Sequence, residues 1–190
     1  MPINLSKGQK ISLSKEAPNL KVALIGLGWD TKQYDGGADF DLDASVFLLD
    51  ASGKCAHDTD FVFYNNLSSN GVTHSGDNRT GEGEGDDEAI TIEFDKVPQS
   101  VDRIAVTVTI YDAPARGQNF GQVQNAYVRL LDVDSGTELL RYDLGEDYST
   151  ETAIVFAEIY RYNGEWKFSA VGSGFNGGLE ALCKKYGLDV

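Results

Sequence analysis

The chain has 190 residues, 41% hydrophobic and 24% charged, enough apolar content for one folded core and too much for global disorder. Acidic residues outnumber basic ones 30 to 16, and the formal net charge of -14 repels phosphate backbones and anionic lipid while favouring cations. Two cysteines, Cys55 and Cys183, are too few for a disulfide scaffold and lack zinc spacing, so both are expected as buried free thiols.

The first residues, MPINLSKGQKISLSK, lack the continuous apolar core of a secretory signal, and no stretch approaches the roughly 20 apolar residues that span a bilayer. A soluble, cytoplasmic protein is expected. Along the chain the dominant period is two. It predicts strands over 10–13, 20–27, 44–49, 60–64, 89–94, 104–111, 126–133, 138–144, 153–162 and 165–171. In 104–111, Ile104, Val106, Val108 and Ile110 face one way and Ala105, Thr107, Thr109 and Tyr111 the other, which fits a half-buried strand. The last two strands flank Asn163-Gly164, a pair that accepts positive φ at both centres of a type I′ turn, so they form a hairpin. A single turn of helix is also read around Phe120, Val123 and Ala126. After Gly178, Leu179, Leu182, Cys183 and Tyr186 follow helical spacing, and Lys184 and Lys185 suit a helix C-terminus before Gly187. About ten strands with short turns and one short C-terminal helix predict an all-β antiparallel sandwich, with residues 1–190 as one domain.

The chemistry is concentrated in two acidic segments. SGDNRTGEGEGDDE at 75–88 sets Asp77, Glu82, Glu84, Asp86, Asp87 and Glu88 against Arg79, with glycines interleaved. Carboxylates and turned-in carbonyls are the hard oxygen donors that Ca²⁺ takes six to eight at a time. Without a cation, two carboxylates ~4 Å apart repel by ~4 kcal/mol at an effective dielectric near 20. The segment fails the EF-hand template, because Arg79, Gly81 and Glu82 stand where acids and the turn glycine belong. The second segment, GADFDLDAS at 37–45, places Asp39, Asp41 and Asp43 on one parity, a face of carboxylates that asks for something positive. Asn65 and Asn66 end a neighbouring strand with neutral oxygen donors.

These runs, from Gly28-Trp29-Asp30 through DLDAS, VFYNN and DNRTGEGEGDDE to Asn125-Ala126-Tyr127, Arg129 and RYDL at 141–144, resemble the TerD family of tellurite-resistance and stress-response proteins across nearly the whole chain. The resemblance implies a cytoplasmic calcium-binding β-sandwich with no settled enzymatic activity. It implies Asp41, Asp43, Asn65, Asp77, Glu82, Asp86 and Glu88 as metal ligands, with the Gly83 carbonyl, and Asp30, Asp39, Asn66, Asn78 and Asp87 as second choices. So many acids suit two Ca²⁺ ions, which would bring the formal charge from -14 to -10. The partners expected are calcium and other proteins of a tellurite-resistance or stress complex, a membrane-associated one included, with no nucleic acid and no membrane insertion.

Other chemistry is weaker. His74-Ser75 with Asp77 offers triad residue types, but sequence neighbours rarely make triad geometry and no G-x-S-x-G elbow exists. His57 sits in a polar stretch and reads as an exposed loop residue. Gly26-Leu27-Gly28 lacks the third glycine and following helix of a dinucleotide site. The aromatic residues, Trp29, Tyr34, Phe61, Phe63, Tyr64, Tyr111, Phe120, Tyr160, Tyr162 and Trp166, read as core and cross-strand pairs. Arg129 and Arg141 read as ion-pair partners for nearby acids. Three functional classes follow: a non-catalytic calcium module working through partner proteins, a metal-dependent phosphoester hydrolase, and a calcium-dependent membrane binder.

Overall fold

The structure, a computed structural model, describes residues 1–31, 40–76, 85–144 and 148–189. In chain order its elements are β1 (Ile3–Leu5), β2 (Lys10–Ser12), α1 (Leu13–Glu16), β3 (Val22–Thr31), β4 (Leu42–Leu49), β5 (Phe61–Val62), β6 (Ser68–Ser69), β7 (Val72–His74) and β8 (Glu88–Glu93). There follow β9 (Arg103–Ile110), α2 (Ala113–Arg116), β10 (Val123–Asp132), β11 (Thr137–Asp143), β12 (Ala153–Tyr162), β13 (Glu165–Phe175) and α3 (Gly178–Lys185). Two sheets pack face to face, in orders β1-β11-β10-β3-β8-β7-β6 and β2-β13-β12-β9-β4-β5. The expected sandwich is therefore present. One pairing departs from antiparallel: β1 runs parallel to β11, with Asn4 opposite Arg141.

Alternation builds the space between the sheets. Ala23, Ile25, Leu27 and Trp29 of β3, Ile90 and Ile92 of β8, and Val128 and Leu130 of β10 meet Leu42, Ala44, Val46 and Leu48 of β4 and Ile104, Val106 and Val108 of β9. Burying such side chains is the main favourable term in the fold, about 1.5–3 kcal/mol each. The Asn163-Gly164 hairpin is as expected, with φ of 51° and 75°, joining Tyr162 to Glu165.

The expectation of half-buried strands needs correction in the second sheet. Every residue of β4 is buried, and so is all of β9 after Arg103. The reason is α3, which lies on the outer face and brings Leu182, Cys183 and Tyr186 against Phe47, Leu49, Ala105 and Val155. A bulge between Val155 and Ala157 lets β12 serve both layers, sending Phe156 and Ala157 together toward the inner core. The expected single turn of helix is a 3-10 turn at Phe120–Gln122 that ends where β10 begins at Val123, leaving Ala126 in the strand. Not every aromatic is core: Tyr111 and Tyr162 are exposed, each with a cation beside its ring, Arg116 and Lys167 respectively. Tyr34 lies outside the described residues. Both cysteines are free, Cys183 buried and Cys55 half-buried, and burial pushes the Cys55 thiol up to about 12.

Candidate metal centre

One end of the sandwich collects the C-terminal end of β3, the start of β4, the end of β7 and the start of β8. Register shows this directly: Leu27 pairs with Glu88, His74 with Ile90, and Leu42 with Ile110. The chain leaves this end after β3 and after β7, and returns to it at β4 and β8, so both acidic segments are rooted here.

Glu88 is the innermost acid, 1% exposed. Its Oε2 accepts the Ala44 backbone N–H at 2.7 Å and lies 3.3 Å from His74 Nε2, tying the first sheet to the second. His74 Nε2 is also 3.0 Å from the Ala44 carbonyl, while Nδ1 accepts the Gly76 N–H at 2.9 Å. That network assigns the ring proton to Nε2. Burial resists charging the ring, but the hydrogen bond and charge of Glu88, with the Ala44 carbonyl and Asp43, outweigh it and raise His74 above its ordinary range. His74 belongs to this site as a brace. Sequence neighbours suggested only a triad with Ser75, whereas its partner stands 14 positions away, across the β7–β8 pair.

Asp41 and Asp43 are each 7% exposed. With Thr109, Asp112 and Thr152, Asp43 lines a cavity of about 440 Å³ at this end. Carboxylates are the hard oxygen donors that a divalent cation takes.

Asp86, Asp87 and Asp30 are held by protein donors. Asp86 receives a fork from Arg129, Nε to Oδ1 at 2.8 Å and Nη2 to Oδ2 at 2.9 Å, and accepts the Tyr127 hydroxyl at 3.0 Å. Arg129 also donates to Glu138, and Arg141 stacks 3.9 Å above the Tyr127 ring while donating to Asp143. Both arginines are ion-paired, as expected. Asp87 accepts the Trp29 N–H at 2.9 Å; burial, set against that bond and joined by its acidic neighbours, leaves its carboxyl above the usual range. Asp30 accepts from the Asn125 amide at 2.7 Å. Asn66 donates to the Phe61 carbonyl at 2.7 Å, and Asn65 is exposed in the adjoining turn.

Gly26 and Gly28 acquire a role that the sequence pattern did not reveal. Both face outward on β3, opposite Arg129 and Tyr127 respectively. A β-carbon on Gly26 would stand 2.1 Å from an Asp86 oxygen, and one on Gly28 would stand 2.4 Å from the Tyr127 ring. The two glycines leave a trough in which the end of the acidic segment is seated, and the Asp87 N–H to Leu27 carbonyl bond fixes its height.

Asp39, Asp77, Asn78, Glu82 and Gly83 lie outside the described residues. Among the described residues no group of three or more His, Cys, Asp or Glu side chains is placed to hold a metal ion. What the described part provides is Asp41 and Asp43 at the cavity end, with Asp86, Asp87 and Glu88 fastened around the roots of the acidic segment.

The TerD domain matches residues 1–186. The chain is 59% identical to general stress protein 16U of Bacillus subtilis (strain 168) over the full length of both. It is also 59% identical to tellurium resistance protein TerD of Serratia marcescens, covering all of this chain and 99% of that one. Among solved structures, a homologue of telluride resistance protein (TerD) from Streptomyces coelicolor A3(2) superposes with a TM-score of 0.70 at 27% identity, over 87% of this chain and 95% of that one. The chain belongs to the TerD domain family, whose named members include tellurium-resistance and stress proteins.

Proposed function

We propose that the protein is a non-catalytic, cytoplasmic calcium-binding module that contributes to tellurite and stress resistance through protein partners. The observation that carries this reading is the burial of Asp41 and Asp43 at the end of the sandwich where the Gly-spaced acidic segment is rooted. In this proposal Asp41, Asp43, Asp77, Glu82 and the Gly83 carbonyl hold the ions. Asp86 and Glu88, engaged by Arg129 and by Ala44 and His74, hold the backbone from which the ligands are presented. Bound calcium would neutralise the mutual repulsion of these carboxylates and bring the two acidic connections together.

Thermal unfolding with and without calcium tests the reading. At a calcium concentration 100 times Kd each bound ion adds about 2.7 kcal/mol to the folded state, a rise in Tm of several degrees that magnesium should not match. An unchanged Tm would count against it. Turnover of phosphodiester or phosphomonoester substrates that depends on a divalent ion would overturn the non-catalytic part and favour a hydrolase.

A further inference from the structure

On the outer face of the second sheet, the rings of Tyr186, Phe47, Phe61, Phe63 and Tyr64 form a continuous ladder, with successive centroids 4.6, 4.5, 4.2 and 5.1 Å apart. The ladder is buried under α3 at the Tyr186 end and half-buried at Phe63. There Phe61, Phe63, Leu179, Cys183 and Leu188 floor an open groove of about 510 Å³ between the edge strand β5 and α3. The volume falls in the range of ligand-binding clefts, and Phe63 and Leu179 stand half-buried along it.

Acids rim this groove. Asp58, just before β5, stands on one wall; Glu180 and Asp189 stand near the two ends of α3 on the other. Glu180 pairs with Lys184 one turn on, while Asp58 and Asp189 make no ion pair among the described residues. Asp58 and Asp189 therefore stand on facing walls of an apolar groove, one before β5 and the other past the end of α3. A chain segment that alternates apolar and cationic side chains matches both features, and the net charge of -14 would steer it toward the surface.

We infer that this groove docks a segment of a partner protein that sets large apolar side chains against Phe61 and Phe63 and lysine or arginine side chains against Asp58 and Asp189. A groove-to-groove contact with a second copy of this chain is disfavoured, because both grooves carry the same acidic rim. The inference rests on the reading of the protein as a module that works through partners, and it supplies the chemistry of the partner.

Two synthetic amphipathic peptides with identical Leu and Phe positions, one carrying Lys and one Glu at the polar positions, test it by amide NMR titration in EGTA and again in calcium. The Lys peptide is expected to shift resonances of Phe61, Phe63, Leu179 and Leu188, and to bind at least about tenfold more tightly than the Glu peptide. Phe63→Ser should weaken it about tenfold, as loss of a central aromatic anchor does. Leu179→Lys, at a half-buried helix position, provides the same test should Phe63→Ser not fold. Asp58→Asn with Asp189→Asn should flatten the salt dependence. The inference is overturned if the Lys peptide does not bind at millimolar concentration, if its shifts spread over the acidic surface and ignore Phe63→Ser, if dodecylamine competes at equal affinity, or if the groove is covered by self-association. Peptide binding without any calcium response would refute the calcium reading alone. A calcium response without peptide binding would refute the groove alone.

Discussion

The guanidinium of Arg129 and the carboxylate of Asp86 meet at two points, 2.8 and 2.9 Å, directly above Gly26, the cross-strand neighbour of that arginine. Strand β10 thereby pins the returning end of the acidic segment to β3. Both side chains are largely shielded, so their coupling should lie between that of an exposed pair and a buried one, about 1–2 kcal/mol. A double-mutant cycle in urea with Arg129→Met and Asp86→Asn measures it.

The same geometry makes Gly26→Ala costly. The new methyl would overlap a carboxylate that Arg129 does not release, so a loss of about 1–3 kcal/mol is expected. Combining it with Arg129→Met should reduce that cost, since the freed carboxylate can swing aside. Additive losses in urea midpoint would contradict the trough.

This trough shows where sequence reading stops. Gly26-Leu27-Gly28 could be dismissed as a nucleotide motif from sequence alone, but its real demand comes from Asp86 and Tyr127, 60 and 99 positions away. The hairpin at Asn163-Gly164 and helix α3 were legible because turn chemistry and helical spacing are local. Strands β6 and β7 were not, since Ser68–Ser69 and Val72–His74 are too short to show a period. The parallel addition of β1 depends wholly on β11. In the site, the aspartate ladder was legible as a pattern. That Phe47 and Leu49 on the same parity would lie buried under α3 was a tertiary outcome.

His74 and Glu88 give an asymmetric expectation. His74→Ala takes the imidazole away from a carboxylate that is 1% exposed, which should cost about 3 kcal/mol or more. Glu88→Gln keeps an oxygen for the Ala44 amide and removes the charge, so it should cost less. Chemical denaturation of the two variants without calcium checks the order.

Alkaline pH should destabilise the fold. Burial raises the Cys55 thiol to about 12 and raises Cys183 and Tyr186 above their ordinary ranges. Each folded pKa lies above its unfolded value, so from about pH 9 upward the unfolded chain releases protons that the folded chain keeps. Stability is therefore full below that pH and falls as pH rises toward 12. Tm against pH should decline over this window, and the decline should be shallower for Cys55→Ala and Tyr186→Phe. The same burial should make both native thiols alkylate far more slowly than free cysteine at pH 8.

Counting bound ions is the most direct measurement. Equilibrium dialysis of the EDTA-stripped protein against ⁴⁵Ca²⁺ should give two ions per chain, and Asp41→Asn with Asp43→Asn should lower the number bound or the affinity at least about tenfold while the sandwich stays folded. No retained calcium in the wild-type protein, or undiminished binding in the double variant, would contradict the account.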